Sequence, residues 1–196
     1  AVFARFFGLP RPELPLDRLA EIYAVPRPRF IKWDARPGNA VVDGDGGLGW
    51  FDFEDCKARR PLDDVAWLLA DEFTPDLPEI EARLLARHVG TFADDLSPDE
   101  ALLYLRVYGV FHSLVRLGLI LSRKDREPWW DWAYCLAEDK VGVSYDAALR
   151  LCRRAARWAR AAEPIAALGE LLDGIAAALP PDDGRRAEGR TSALAA

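Results

Sequence analysis

Apolar residues recur at helical spacing through most of the chain beyond position 62, whereas the stretch before it is broken by Pro, Gly and Asp. A short helix is expected over 15–25, with Leu16, Leu19, Ala20 and Tyr23 on one face and Asp17 as its cap. Pro26 to Arg29 stops it and leads by an extended stretch into a loop holding Pro37 and Gly38, which cannot continue a helix. Ala40 to Val42 reads as a strand, 43–47 as a tight turn rich in Asp and Gly, and 48–53 as the returning strand of a hairpin. A polar loop is expected over 54–60 and a helix over 62–72.

Beyond residue 79 the pattern is almost wholly helical. Ile80, Leu84, Leu85, Val89 and Phe92 share helical spacing over 79–96. Ser97, Pro98 and Glu100 are a strong start signal for a helix to about residue 121: Ser as cap, Pro at the first position, Glu three residues after the Ser. Residues 128–140 carry Trp129, Trp130, Trp132 and Tyr134. Further helices are expected over 144–162 and 164–179, and 181–196 reads as a disordered tail. Arg150, Arg153, Arg154, Arg157 and Arg160 form a stripe on one helix and read as its solvated face.

Composition narrows the class. With 196 residues and 51% apolar content, one domain with a sizeable core is affordable. A net charge of −6 and a pI near 5.1 argue against general nucleic-acid binding. The run 102–121 is apolar enough to raise the membrane question, but Arg106, His112 and Arg116 interrupt it, so a buried helix is expected and no membrane span. Ala1 to Pro10 lacks a charged start followed by an apolar core, so no signal peptide is expected there. Cys56, Cys135 and Cys152 are odd in number and widely spaced, which points to a reducing cytoplasm rather than a disulfide framework.

The chemistry gathers at one place. Asp34 and Asn39 sit five apart in the loop, and Asp52 follows Asn39 by thirteen residues, across the hairpin. A hairpin brings its ends together, so two acids and one amide oxygen are expected around one gap. Hard oxygen ligands of this kind suit Mg²⁺ shared with a phosphate chain. Asn39 is the sole Asn of the sequence. The turn over 43–47 imitates a calcium loop, yet its sixth position is Leu48 where Gly is needed, and strands flank it. His88 and His112 have no ligand at metal spacing and read as ordinary helix residues.

The stretch Lys32-Trp33-Asp34-Ala35-Arg36-Pro37-Gly38-Asn39, followed by Phe51-Asp52-Phe53-Glu54, resembles the catalytic loop and metal-binding segment of the aminoglycoside phosphotransferase and choline kinase family. Pro61-Leu62-Asp63-Asp64-Val65-Ala66 resembles that family's downstream Asp-Pro-x-x-Asp-Leu-Ala segment. The resemblance implies that Asp34 is the catalytic acid orienting the acceptor hydroxyl. It gives Mg²⁺ to Asn39 and Asp52, contact with the transferred phosphoryl group to Arg36, and bracing of the catalytic loop to Asp64. Lys32 and Trp33 depart from the family's His and Gly, although protein kinases accept an Arg where Trp33 stands.

The implied fold is mainly α with a small β-hairpin: the C-terminal lobe of a protein-kinase-like α+β fold over residues 1–180. Its catalytic loop and hairpin occupy 32–55 and its helical subdomain 62–180. No Gly-rich loop and no strand-borne Lys precede Asp34, so an N-terminal lobe is expected upstream. The implied activity is transfer of phosphate from ATP, with Mg²⁺, to a hydroxyl of a small molecule. Trp129, Trp130, Asp131 and Trp132 are candidates for the acceptor site, with Glu138, Asp139, Asp94 and Asp95 adding negative charge. Such a pocket would favour a cationic amino sugar or amino alcohol. The competing readings are a non-catalytic kinase-like scaffold or binding protein and an unrelated helical interaction protein.

Overall fold

The structure is a computed structural model, and it describes residues 2–138 and 141–182. The expected tail over 183–196, like Asp139 and Lys140, lies outside the described residues.

Two small sheets sit at one end. The strand β1 (Arg29–Ile31) pairs antiparallel with β4 (Lys57–Arg59), placing Phe30 opposite Ala58. Between them, β2 (Ala40–Val42) pairs with β3 (Leu48–Trp50) through a turn in which Asp43 accepts the amides of Asp45 and Gly47. The second hairpin strand thus ends at Trp50 rather than 53, and the expected polar loop over 54–60 contains a strand. β4 is legible only through its partner: three residues gain a ladder because Arg29 to Ile31 lie beside them.

Eight α-helices are found among the described residues. α1 (Val2–Phe7), which the sequence reading did not anticipate, buries Ala4, and α2 (Leu16–Tyr23) buries Leu19. Leu16 of α2 is exposed instead, and Pro15 rather than Asp17 stands at the cap position. α3 (Leu62–Ala70) and α4 (Pro78–Phe92) precede the long helix α5 (Pro98–Lys124). Ser97 and Glu100 complete a reciprocal capping box at the start of α5, satisfying two orphan amides. α6 (Trp132–Ala137) begins where the Asp131 carboxylate accepts the Tyr134 amide. α7 (Tyr145–Arg160), capped by Ser144, packs on α5 and on α8 (Leu168–Ala178).

The core lies between α3, α5, α7 and α8. Tyr104, Leu105, Val107, Val110, Leu117 and Ile120 of α5 are buried in it. α5 is long and apolar enough to cross a membrane, but more than half of that stretch is buried inside the protein, as a core helix requires. Gly109 allows the closest approach of α5 and α7: a Cβ there would fall 2.2 Å from the Trp158 ring.

The arginine stripe of α7 is not a solvated face. Arg154 is 1% exposed and donates to the carbonyls of Asp71, Thr74 and Pro75. Arg150 donates to the carbonyl of Glu72, and Arg157 to Asp76 and Glu81. The stripe holds the backbone that leaves α3. Arg153 and Arg160 alone of the five are exposed.

Candidate active site

The loop between β1 and the hairpin carries the chemistry. Trp33 and Asp34 both have positive φ, 53° and 48°, and Asp52 after β3 has φ 58°. Side chains seldom adopt this conformation, and each instance costs on the order of 1–3 kcal/mol unless its surroundings enforce it. Asp64 of α3 enforces the first two. Its carboxylate accepts the amides of Lys32 and Trp33, each at 2.8 Å. Burial pushes the Asp64 carboxyl up, against those two amides.

Asn39 is 2% exposed. Its amide nitrogen donates to the Asp34 carbonyl at 3.0 Å and to the Asp34 carboxylate at 2.8 Å. Both partners only accept, so the nitrogen must face Asp34 and the amide oxygen turns the other way. Arg36 Nε stands 3.6 Å from the Asp34 carboxylate. The Phe51 amide donates to the Asn39 carbonyl, which fixes the residue before Asp52 against the loop.

Asp52 itself is exposed, and its carbonyl accepts from Lys32 Nζ at 2.7 Å. Lys32 is 6% exposed, reaches the Asp34 carbonyl at 3.4 Å as well, and rests over the Phe53 ring. Among the described residues no three His, Cys, Asp or Glu side chains gather as a metal cluster. The Asn39 amide oxygen and the Asp52 carboxylate are hard oxygen donors of the kind Mg²⁺ takes, an ion that uses few protein ligands and shares the rest with phosphate and water.

A buried group of charges follows α3. Glu72, fully buried, receives two hydrogen bonds from Arg116 of α5, at 2.8 and 2.5 Å, and one from the Gly142 amide. Burial alone would raise the Glu72 carboxyl, but Arg116 holds it below its ordinary value. Asp71 beside it is pushed up to about 7 by burial and by the Glu72 charge. Burial lowers the Arg116 guanidinium, but the Glu72 hydrogen bonds and charge, then Asp71 and Asp34, push it up on balance. Nothing in the sequence alone marked Asp71, Glu72 and Arg116 as neighbours, because their separations carry no local pattern.

The tryptophan cluster is built otherwise than expected for a ligand site. Trp129 is 2% exposed, donates its indole N–H to the Pro180 carbonyl, and already carries Lys124 on its face at 4.9 Å. Trp130 is 8% exposed and meets Tyr134 edge-on. Trp132 packs on Phe73 and under Arg150, and Asp131 is engaged as the cap of α6. Asp94 and Asp95 turn to Arg29 and Arg60 at the β1 end of the protein.

Residues 11–102 match the phosphotransferase enzyme family. The match contains the whole stretch from Lys32 to Ala66, so the family expected from the Asp34 loop is the family found. No curated protein and no solved structure gave a match to the chain.

Proposed function

We propose, for a chain whose residues 11–102 carry the pattern of the phosphotransferase enzyme family, that it works as a Mg²⁺-dependent kinase transferring the γ-phosphoryl group of ATP to a hydroxyl of a small molecule. The observation that carries the reading is the hydrogen bonding of Asn39 to Asp34, which ties the proposed base to a proposed metal ligand within one loop. The acceptor oxygen forms the new bond to phosphorus, the bond from the γ-phosphorus to the ADP oxygen breaks, and the acceptor proton passes to Asp34.

Asn39 and Asp52 would hold the magnesium ion, which when bound neutralises charge on the phosphates. Asp34 orients the hydroxyl. Arg36, anchored beside it, offers a positive charge to the phosphoryl oxygens, and Asp64 keeps the loop in its strained form. A partner covering the phosphates would complete the site. Val41, Val42, Leu48, Phe51 and Phe53 on and beside the hairpin are exposed, which supports a covering partner there. Three free cysteines support a cytoplasmic setting.

The test uses the full-length protein. Calorimetry with Mg·ATP should show affinity reduced at least tenfold in Asp52→Ala. Asp34→Asn should retain that affinity and lose at least a hundredfold in phosphate transfer, within the usual range for a general base. Unchanged nucleotide affinity in the first variant, or near-normal turnover in the second, overturns the assignment.

A further inference from the structure

A cavity of about 300 Å³ opens beside the loop, between α2, α3 and α5. Trp33, Trp67, Tyr108, His112, Val115 and Arg116 are among its walls. Trp33 is the residue before Asp34, so the cavity adjoins the loop that carries the proposed base. Its volume falls at the lower end of small-ligand pockets.

The lining is aromatic and uncharged in sum. The Trp33 and Trp67 rings meet at 5.7 Å, Trp33 and Tyr108 at 6.3 Å, and Trp67 and His112 at 4.1 Å. No acidic residue lines it, and Arg116 is neutralised by Glu72. On the Trp33 ring, Lys57 already stands at 4.5 Å and Arg59 at 5.5 Å, so the cation–π capacity of that face is in use. A cationic ligand would enter beside these positive groups with no carboxylate in the wall to meet it, and a buried unpaired charge is costly.

His112 adds the second observation. It is 9% exposed, and its Nε2 has no hydrogen-bond partner in the protein. Burial first, then the charge of Arg116, keeps the ring neutral, with the Glu72 charge opposing. A buried polar atom without a partner is destabilising, and a ligand oxygen or hydroxyl at that position would satisfy it.

We propose that this cavity holds the acceptor, and that the acceptor is an uncharged ring-bearing alcohol whose ring lies among Trp33, Trp67 and Tyr108 and whose second polar group bonds His112. The inference rests on the phosphotransferase reading for what happens next, but not for binding itself. Binding is therefore measured without nucleotide, by NMR on the full chain, with 4-methoxybenzyl alcohol as probe and choline as the cationic comparison. The neutral probe should shift the indole N–H signals of Trp33 and Trp67 and the ring signals of His112 in a saturable way, and choline should not. Val115→Trp, made at a position 61% exposed at the mouth, should weaken the probe at least fivefold with an unchanged melting temperature, and His112→Phe should weaken it as much. Absence of these shifts, equal shifts with choline, or indifference to Val115→Trp overturns the pocket. If the probe binds as described but the full-length enzyme phosphorylates no alcohol with Mg·ATP, the pocket stands and the kinase reading falls. If turnover appears with an acceptor whose KM ignores Val115→Trp, the kinase reading stands and the pocket falls.

Discussion

The ammonium nitrogen of Lys32 lies 2.7 Å from the carbonyl oxygen of Asp52, twenty residues away and across the hairpin. The same nitrogen lies 3.4 Å from the carbonyl of Asp34. One buried cation therefore joins the two backbone segments that carry the proposed base and a proposed metal ligand, both in the left-handed region. The family pattern has a His at this position. A lysine reaches further and donates three hydrogens, so it can hold both carbonyls at once.

Lys32→Met should leave those carbonyls without their donor and lower stability by about 1–3 kcal/mol. It should also loosen Asp52, so Mg·ATP affinity in the full-length protein should fall more than stability alone explains. Lys32→His should recover part of both. Urea denaturation and calorimetry on the three proteins check this, and a Lys32→Met protein of wild-type stability and affinity would remove the bridging role.

Asp64 is asked to receive two amides, and only a carboxylate offers two acceptors in that geometry. Asp64→Asn turns one acceptor into a donor facing a donor. The expected loss is about 2 kcal/mol, the scale of one hydrogen bond to a charged group, with the midpoint of urea unfolding lowered accordingly. A midpoint equal to wild type would show that the Trp33 and Asp34 conformations are held by something else.

Trp129→Ala removes a side chain that is 2% exposed, together with its bond to the Pro180 carbonyl, and should cost about 3–5 kcal/mol. Trp132→Ala, at a half-buried site, should cost less. If Trp130→Ala instead leaves the melting temperature unchanged and raises an acceptor's KM, the cluster is a binding surface and the cavity beside Trp33 is not the acceptor site.

Burial lowers the His112 pKa to about 3. The unfolded chain takes up a proton near the ordinary value of about 6.5, and the folded protein does so only near 3. The stability this group contributes is complete above pH 6.5 and is lost as pH falls from there towards 3. The scale is about 1.4 kcal/mol for each pH unit in that window. His112→Leu should flatten the acid side of a plot of unfolding free energy against pH. An unchanged slope between pH 6 and 4 would show that the ring is accessible to water.

Much of the frame is legible in the sequence, for local reasons. Asp43, Gly46 and Gly47 announce the turn because few residues tolerate its geometry, and Ser97 with Glu100 announces the start of α5 because capping is a contact over three residues. The loop from Asp34 to Asn39 is legible through its family pattern. The pairing of β1 with β4 is not, because Arg29 and Arg59 meet over thirty positions with only three residues a side. Nor is the burial of Arg154. Its hydrogen-bond partners are the backbone carbonyls of residues 71, 74 and 75, and carbonyls leave no trace in residue identity. The cavity at His112 escapes for a related reason: a lone histidine on an apolar helix face looks the same whether its ring is satisfied or not.

The grip of α5 and α7 on the segment after α3 comes from outside the matched stretch. The family match ends at residue 102, yet Glu72 is neutralised by Arg116 and the carbonyls of Asp71, Glu72, Thr74 and Pro75 are held by Arg150 and Arg154. A stretch cut to the recognisable boundary would keep the reactive loop and lose the cations that allow two adjacent acids to stay buried behind it. The shared signature and the autonomous unit are different lengths of chain. Arg116, Arg150 and Arg154, all beyond the match, are what brace the matched part from behind.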